Sequence, residues 1–402
     1  MSNKTVLYIG GFELPDKNAA AQRVVGVGKL LRKIGFSVSY LGIYHSSIPE
    51  KELEKRFNCC VWSIKYPNSL IEWILYLTSI KKIKEIIKHE LEEFPVAIIA
   101  YNYPSIALFR LRRFCKNRKI ALIADCTEWS NYSETFLFRK AKSIDTFIRM
   151  RIIHRLLDGI IVISSFLFEY YNTKIKNIIL LPPLVDKSDS KWNIKINHVK
   201  KDYVTLIYAG SPGGKQKDRL DLIITALSKT KTSSSFQIII VGITKDQYIY
   251  KYGIDSLPLT IKENIFFMGR LSHIETIKLI TISDYSILLR DKTKANNAGF
   301  PTKFVESITC GTPVLTNLSS NISDYFINGE LGFLLDDKSE VSLIKSLKEA
   351  IDQPKNKIYL MKTNCLNYKK FHYETYESSF LVFIKNIMQN THPYKTEKHL
   401  IK

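Results

Sequence analysis

Short, continuously apolar runs alternate with longer amphipathic segments along most of the chain. The first half contains such runs at Val6–Ile9, Ser37–Ile43, Val96–Tyr101, Ile120–Ala124, Ile160–Ile163 and Ile178–Leu181, and the second half at Thr205–Ala209, Gln237–Val241, Ile265–Met268, Tyr285–Leu289 and Pro313–Thr316. Strands that are apolar throughout and separated by helices are typical of parallel sheets covered by helices on both faces. The sequence therefore predicts an α/β fold with two successive doubly wound, Rossmann-like parallel sheets.

The boundary between the two predicted domains falls near Pro182 and Pro183, which interrupt regular structure and are followed by polar residues. We place the first domain at residues 1–185 and the second at residues 186–369. Ligands of open α/β sheets bind beyond the carboxyl ends of the strands. Two such sheets facing each other would form a cleft, so the segments that follow the strands are candidates for a binding site.

The composition narrows the class of partner. The 402 residues carry a formal net charge of +21, which predicts an acidic partner: nucleic acid, anionic lipid or a phosphorylated substrate.

The six cysteines show no Cys-x-x-Cys spacing, and the first residues lack the pattern of a signal peptide, so we expect reduced thiols in a cytoplasmic protein. The most apolar window, residues 70–80, is too short to span a bilayer. Neither a His-x-x-x-His nor an Asp-x-Asp pattern occurs, which predicts no catalytic metal.

The stretch GGFELPDKNAAAQR, residues 10–23, follows the first apolar run and precedes a helical pattern. Its glycines, proline and alanines make the turn from strand to helix small and open. Such a turn lets backbone N–H groups approach a ligand, often a phosphate, at the start of a helix. A plain strand-to-helix turn is the alternative, but the position at the carboxyl end of a strand favours a ligand.

Several segments of the second half also follow predicted strands and carry residues suited to an anionic ligand. Glycines allow close backbone approach, the start of a helix favours anions, and lysine or arginine adds charge. The candidates are Gly210, Gly213, Gly214, Lys215 and Lys217 after the first strand, Gly269 and Arg270 after the third, and Arg290, Gly299, Phe300, Pro301, Thr302, Lys303 and Glu306 after the fourth. Lys303 and Glu306 would share one face of a helix, for which a solvated ion pair is the ordinary explanation.

In this order, the segments resemble the nucleotide-sugar domain of retaining glycosyltransferases of family 4, which have the GT-B fold, and in particular bacterial enzymes of capsule and surface polysaccharide assembly. The family signature is a glutamate, Gly-Phe-Gly, four further residues and a second glutamate, and AGFPTKFVE at residues 298–306 aligns with it without gaps. The resemblance implies that Glu306 binds the ribose of the donor, since a carboxylate can accept hydrogen bonds from both hydroxyls. The donor, a UDP-sugar first and a GDP-sugar next, is a substrate, and no cofactor is implied.

Two positions depart from the family pattern. Ala298 replaces the first glutamate, whose contact with the donor sugar is then missing or made elsewhere. Ser211 stands where the family often has an arginine. Positive charge for the diphosphate would come from Lys217 or Lys215, and from Arg290 or Lys303.

In GT-B enzymes the first domain mainly holds the acceptor. The resemblance implies that Gly10 and Gly11 lie beneath the donor phosphate or the acceptor, and that the C-terminal helix, residues 370–392, crosses back to pack on the first domain. Arg23 would point an anchoring charge inward, unless it is an ordinary residue of a helix surface.

Asp125 and Glu128 come just after a predicted strand. A carboxylate at a strand end can bind a sugar hydroxyl or take the acceptor's proton, and the family often has a histidine in this region. The alternative is a helix N-cap at Asp125 with Glu128 three residues on, the spacing of a capping box.

Basic residues interleaved with apolar ones cluster in the first half, in RLRRFCKNRK (110–119) and in residues 138–157. This mixture favours an anionic membrane surface over nucleic acid, since no nucleic-acid-binding module is recognisable. The sequence thus predicts a retaining glycosyltransferase, peripherally bound to the inner membrane, that moves a sugar from a nucleotide-sugar to a lipid-linked or polysaccharide acceptor. The alternative is an inactive scaffold of a polysaccharide assembly that binds nucleotide-sugar.

Overall fold

The computed structural model describes residues 4–15, 17–44, 50–129, 136–192, 194, 202–210 and 217–391. The chain forms two compact units. Unit 1 comprises Met1–Leu184 and His372–Lys402, and unit 2 comprises Val185–Phe371. Each unit is a parallel sheet flanked by helices, which confirms the predicted α/β fold with two doubly wound sheets.

Unit 1 has a seven-stranded parallel sheet of order β3-β2-β1-β4-β5-β6-β7. The strands are β1 (Thr5–Gly10), β2 (Ser37–Tyr44), β3 (Val61–Lys65), β4 (Ala97–Tyr101), β5 (Ala121–Cys126), β6 (Gly159–Val162) and β7 (Ile178–Leu180). The helices are α1 (Ala19–Lys33), α2 (Glu50–Phe57), α3 (Leu70–Thr78), α4 (Lys81–Glu85), α5 (Ser105–Arg118), α6 (Phe136–Ile148) and α7 (Ser165–Tyr171). The edge strand β3 was not predicted from the sequence.

Unit 2 has a six-stranded parallel sheet of order β10-β9-β8-β11-β12-β13. The strands are β8 (Tyr203–Ala209), β9 (Ser235–Val241), β10 (Ile265–Gly269), β11 (Tyr285–Leu288), β12 (Val314–Thr316) and β13 (Gly332–Leu334). The helices are α8 (Leu220–Lys229), α9 (Lys245–Tyr252), α10 (His273–Ile282), α11 (Lys294–Ala298), α12 (Thr302–Thr309), α13 (Glu340–Ile351) and α14 (Lys355–Asn367).

The last helix, α15 (Glu377–Thr391), packs on unit 1. Its apolar side, which includes Phe383 and Ile387, joins the core that surrounds β1 and β4. Gly159 at the start of β6 makes this contact possible, because a Cβ there would lie 2.4 Å from Cδ1 of Ile387. Within the ranges that the structure describes, no helix is long and apolar enough to cross a membrane.

Candidate functional site

Glycines in left-handed backbone conformations line the carboxyl edge of the unit 2 sheet. Gly210, Gly242 and Gly269 follow or end β8, β9 and β10 with φ values of 127°, 102° and 61°. A Cβ on Gly242 would lie 2.6 Å from the carbonyl carbon of Gly210. The turn after β8 and the turn after β9 therefore approach each other closely because neither has a side chain there, and their backbone remains accessible at this edge.

A buried carboxylate gathers two cations at the same edge. Asp218 is 1% exposed. Its Oδ1 accepts a hydrogen bond from Nε of Arg290 at 2.6 Å, and its Oδ2 accepts one from Tyr208 Oη at 2.6 Å and one from Nζ of Lys303. Nζ of Lys303 also lies 2.8 Å from Tyr208 Oη. A Cβ on Gly210 would lie 3.2 Å from the same Nζ. Strand ends and the first turn of α12 thus converge on one positively charged cluster.

Burial and charge oppose each other in this cluster. Burial raises the pKa of the Asp218 carboxyl, but the adjacent Lys303 and Arg290 outweigh it and hold that pKa well below its ordinary value. For Lys303, burial outweighs the attraction of Asp218, and Arg290 adds repulsion, so the pKa of its ammonium falls to about 8. The ammonium of Lys303 is therefore still charged at neutral pH, and a further anion beside it would raise its pKa again.

The remaining cations predicted for the diphosphate lie further out. Lys217 is exposed, although its charge still acts on Lys303. Arg270 is exposed directly after β10. The predicted Gly213, Gly214 and Lys215 lie outside the described residues, as does Ser211.

The turn into α12 separates residues that can face a ligand from residues of the core. Gly299 and Thr302 are partly exposed and Pro301 is buried as the N-cap of α12. The expectation that Phe300 binds the donor is not supported, because its ring packs against Tyr325, Phe304 and Phe371 with centroids 5.4, 6.2 and 6.1 Å away. Ala298, at the first glutamate position of the signature, is 0% exposed.

Glu306 lies one helical turn after Lys303 and has a partner that the sequence did not indicate. Its Oε1 is 3.1 Å from Nε2 of His273, the first residue of α10. The two side chains are 15% and 18% exposed, so the carboxylate remains accessible to a ligand. The His273 ring meets that of Trp192 edge to face. His273 thus holds the Glu306 carboxylate one helical turn away from Lys303, which belongs to the positively charged cluster.

Sequence reasoning missed Asp218, Tyr208, Gly242 and His273. Only Gly242 left a usable signal, because apolar strand followed by glycine recurs in YAG, IVG and FMG at the ends of β8, β9 and β10. Nothing in the sequence distinguishes Asp218 from its neighbour Lys217, whose charge suits a phosphate.

In unit 1 the structure corrects two predicted site residues. Asp125 at the end of β5 is 0% exposed and Arg23 of α1 is 2% exposed. Arg23 donates to both carboxylate oxygens, with Nη2 to Oδ1 at 2.7 Å and Nε to Oδ2 at 3.0 Å, and Tyr8 Oη donates to Oδ2 at 2.6 Å. Nη1 of Arg23 bonds the carbonyl of Leu181 at 3.0 Å. Asp125 lies within β5 and is therefore not a helix N-cap, Arg23 is not a surface residue, and each charge is paired with the other instead of being left for a substrate.

The first turn of unit 1 is small for a structural reason. A Cβ on Gly10 would lie 2.6 Å from the carbonyl oxygen of Tyr101 in the neighbouring strand β4. Gly11 is less confined, because among the described residues a Cβ there would meet Tyr76 Oη alone, at 3.4 Å. Glu128 is partly exposed beyond β5, and it remains the one predicted unit 1 carboxylate that can face a ligand.

The described ranges contain no group of three or more His, Cys, Asp or Glu side chains that could hold a metal ion. At the unit 2 edge the described residues offer a ligand the cations Arg290 and Lys303, accessible backbone and the partly exposed carboxylate of Glu306. This set suits a ligand with a diphosphate and vicinal hydroxyls.

Comparison with known proteins gives the family. Residues 190–364 match the family described as glycosyl transferases group 1. HepE from Anabaena, solved with UDP and glucose, shares 13% identity at a TM-score of 0.63, with 95% of this chain and 100% of that chain covered. Sucrose-phosphate synthase from Thermosynechococcus elongatus shares 11% identity at a TM-score of 0.67, over 96% of this chain and 100% of that chain. The lipopolysaccharide outer core galactosyltransferase WaaB shares 14% identity at a TM-score of 0.62, over 95% and 99%. No curated protein matches the chain in sequence.

The family match lies within unit 2, where the glycine turns, the cation cluster and Glu306 are found. The solved structures extend the likeness in fold over nearly the whole chain. Both findings confirm the resemblance carried by residues 298–306. Residues 190–364 are thus a glycosyl transferases group 1 domain, the domain of retaining glycosyltransferases that use a nucleotide-sugar donor, and the chain as a whole has the GT-B fold.

Proposed function

We propose that this chain transfers a sugar from a nucleotide-sugar to a lipid-linked or growing polysaccharide acceptor in surface polysaccharide assembly. A UDP-sugar is the first candidate for the donor and a GDP-sugar the second. The chain would work at the cytoplasmic face of the inner membrane. The observation that carries the proposal is the convergence of Arg290 and Lys303 at a glycine-lined strand edge, with Glu306 one helical turn away. HepE was solved with UDP and WaaB is a lipopolysaccharide outer core galactosyltransferase, which supports the donor and acceptor classes.

In this proposal the donor diphosphate approaches Lys303 and Arg290, and the ribose hydroxyls donate to Glu306. The leaving diphosphate gains negative charge as the bond to the sugar breaks. Cations fixed in advance by Asp218 would stabilise that charge without having to reorganise, which is the main source of catalysis in such sites. Thr302 and the backbone at Gly210 and Gly299 would fill the space around the phosphates.

The basic segments of unit 1 support an anionic membrane surface as a partner. Arg139, Lys140 and Arg151 of the second segment are exposed. Arg149 does not belong with them, because it is 5% exposed and donates to the carbonyl of Asn102 at 2.9 Å. Each exposed basic residue near an anionic leaflet adds about 1 kcal/mol of attraction.

The first test is a thermal-shift panel of UDP-, GDP-, ADP- and dTDP-sugars on the wild type and on Glu306→Gln. One nucleotide class should stabilise the wild type, by about 2.7 kcal/mol at a hundredfold excess over Kd. Glu306→Gln should weaken that donor about tenfold or more, because hydrogen bonds to a charged acceptor are lost. Glu349→Gln, an exposed carboxylate on α13, is the matched control. Equal affinities in all three proteins would remove the ribose role from Glu306.

Donor affinity should fall as the pH rises through about 8, because Lys303 loses its proton there and a neutral amine does not attract the diphosphate. Below that pH the affinity should be constant, and above it the loss approaches about tenfold per pH unit. Lys303→Arg keeps its charge throughout this range, so its affinity should not change with pH. Calorimetric titrations between pH 7 and 9 measure both proteins, and a flat wild-type profile would argue against direct contact with Lys303.

One observation favours a second candidate function. The buried Ala298 cannot make the sugar contact of the signature glutamate, which fits a scaffold that binds nucleotide-sugar without turnover. Donor binding without release of nucleoside diphosphate, in the presence of lipid-linked acceptors, would select the scaffold.

A further inference from the structure

Helix α3 is an apolar helix without a buried residue. Five of its nine residues are large aliphatic side chains that are between 37% and 71% exposed: Leu70, Ile71, Ile74, Leu75 and Leu77. Isolated exposed side chains of this type are normal, whereas a contiguous group of them marks an interaction surface.

The opposite side of α3 attaches it to the carboxyl edge of the unit 1 sheet. Trp73 packs edge to face on Tyr66 and on Tyr76, with centroids 5.4 and 5.9 Å away. Tyr76 in turn reaches the turn after β1, where a Cβ on Gly11 would lie 3.4 Å from its hydroxyl. A capping box formed by Ser69 and Glu72 fixes the start of the helix. The outward aliphatic side is therefore a property of a well-formed helix.

The neighbouring helix α5 adds positive charge. Nη1 of Arg110 donates to the carbonyl of Thr78 at the end of α3 at 2.6 Å. Ile106, Phe109, Arg110 and Arg113 are exposed, and their spacing puts them on one side of α5. The helix contains five basic residues and no acidic one. We call the exposed aliphatic side chains of α3 together with these four residues the α3–α5 surface.

We propose that the α3–α5 surface docks on a bilayer with anionic lipids, with the aliphatic side of α3 in the acyl boundary and the arginines of α5 at the headgroups. A helix of nine residues is about 14 Å long, too short to span the hydrocarbon core, so α3 would lie in the interface. Charge favours this occupant over a second copy of the chain, because self-association would bring the same arginines together.

The inference rests on the proposed function, for which it gives the placement of a lipid-linked acceptor. Tyr76 of α3 lies close to Gly11 in the turn after β1. If α3 lies in the bilayer interface, the lipid of the acceptor can stay in the membrane while the sugar end of the acceptor lies at the carboxyl edge of unit 1. The loss of the membrane contact need not affect the donor, because Arg290, Lys303 and Glu306, to which the proposed function assigns the donor, belong to unit 2.

The test uses the full chain and sedimentation with vesicles of phosphatidylcholine, with and without phosphatidylglycerol. The wild type should bind the anionic vesicles, and Ile71→Glu/Leu75→Glu should bind at least tenfold more weakly. The control Leu259→Glu/Val341→Glu changes the net charge equally at two exposed apolar residues of unit 2 and should stay within twofold of wild type. Equal losses in both variants would overturn the inference, since charge alone would then explain them.

Tryptophan fluorescence gives a second measurement. Trp62, Trp129 and Trp192 are each 8% exposed, whereas Trp73 of α3 is partly exposed. Trp73 faces the sheet, but only the width of α3 separates it from the docking side, so brominated lipids should quench it. Quenching in the wild type and its loss in Trp73→Phe would support insertion. Absence of quenching, or a dimer in solution that Ile71→Glu/Leu75→Glu dissolves, would overturn it. A normal donor-induced thermal shift in that case would leave the donor part of the proposed function standing, whereas vesicle binding without any donor shift would contradict the donor proposal alone.

Discussion

Replacing Asp218 by alanine is expected to lower the free energy of unfolding of unit 2 by about 3–5 kcal/mol. The carboxylate is 1% exposed and accepts hydrogen bonds from Tyr208, Arg290 and Lys303. Its removal leaves two cations without their counter-charge in a buried setting, where an unpaired charge costs far more than a missing surface pair. Urea unfolding followed by circular dichroism measures the loss.

A matched control and a ligand separate this effect from general damage. Asp221→Ala removes a partner of Arg219 at 3.1 Å that is 24% exposed, and exposed pairs contribute only about 0–1 kcal/mol. UDP brings its own anion to Arg290 and Lys303, so it should raise the Tm of Asp218→Ala more than that of the wild type. Equal shifts would place the diphosphate elsewhere, and an unchanged stability would contradict the ion cluster itself.

The fold could be predicted from the sequence because a continuous apolar run indicates a strand that is buried on both faces. β3 was not predicted because it is a short edge strand, VWSIK, in which Ser63 and Ile64 are partly exposed and the last residue is an exposed lysine. An edge strand is covered less completely than a central one, so its composition departs from the pattern on which the other predictions rested.

The site was predictable only where neighbours in sequence are neighbours in space. Lys303 and Glu306 lie on one helix, as their spacing predicts, but Lys303 pairs with Asp218 and Glu306 with His273. Asp218 and Lys217 show the limit, since adjacent side chains in a non-helical segment point in different directions. Lys217 is exposed and Asp218 is buried, and no pattern of letters tells which of the two turns inward.

Long-range pairing was beyond the sequence altogether. Arg23 and Asp125 are 102 positions apart, and each was interpreted alone as a charge available to a substrate. In the structure each charge is paired with the other. A charged residue at a strand end does not by itself indicate function, because packing can supply its partner, as the packing of α1 against β5 does for Asp125.

Breaking the Arg23–Asp125 pair should destabilise unit 1 by about 3–5 kcal/mol, because either partner left alone is a buried unpaired charge. Arg23→Met and Asp125→Asn should therefore both lower the Tm, as measured by thermal unfolding with and without donor. Lys33 and Glu374, which form an exposed pair at 2.8 Å, provide the control: Glu374→Gln should leave the Tm unchanged.

A combined variant decides between the structural role and the catalytic one that the sequence indicated. Tyr8→Phe, Arg23→Met and Asp125→Leu together replace the hydrogen-bonded charges by apolar groups, a change that is often neutral or stabilising where single replacements are not. If Asp125 only holds β5 to α1, the combined variant should recover both stability and sugar transfer. If Asp125 takes part in the chemistry, the variant would fold and bind donor but remain inactive, because no apolar side chain can bind a sugar hydroxyl or accept a proton.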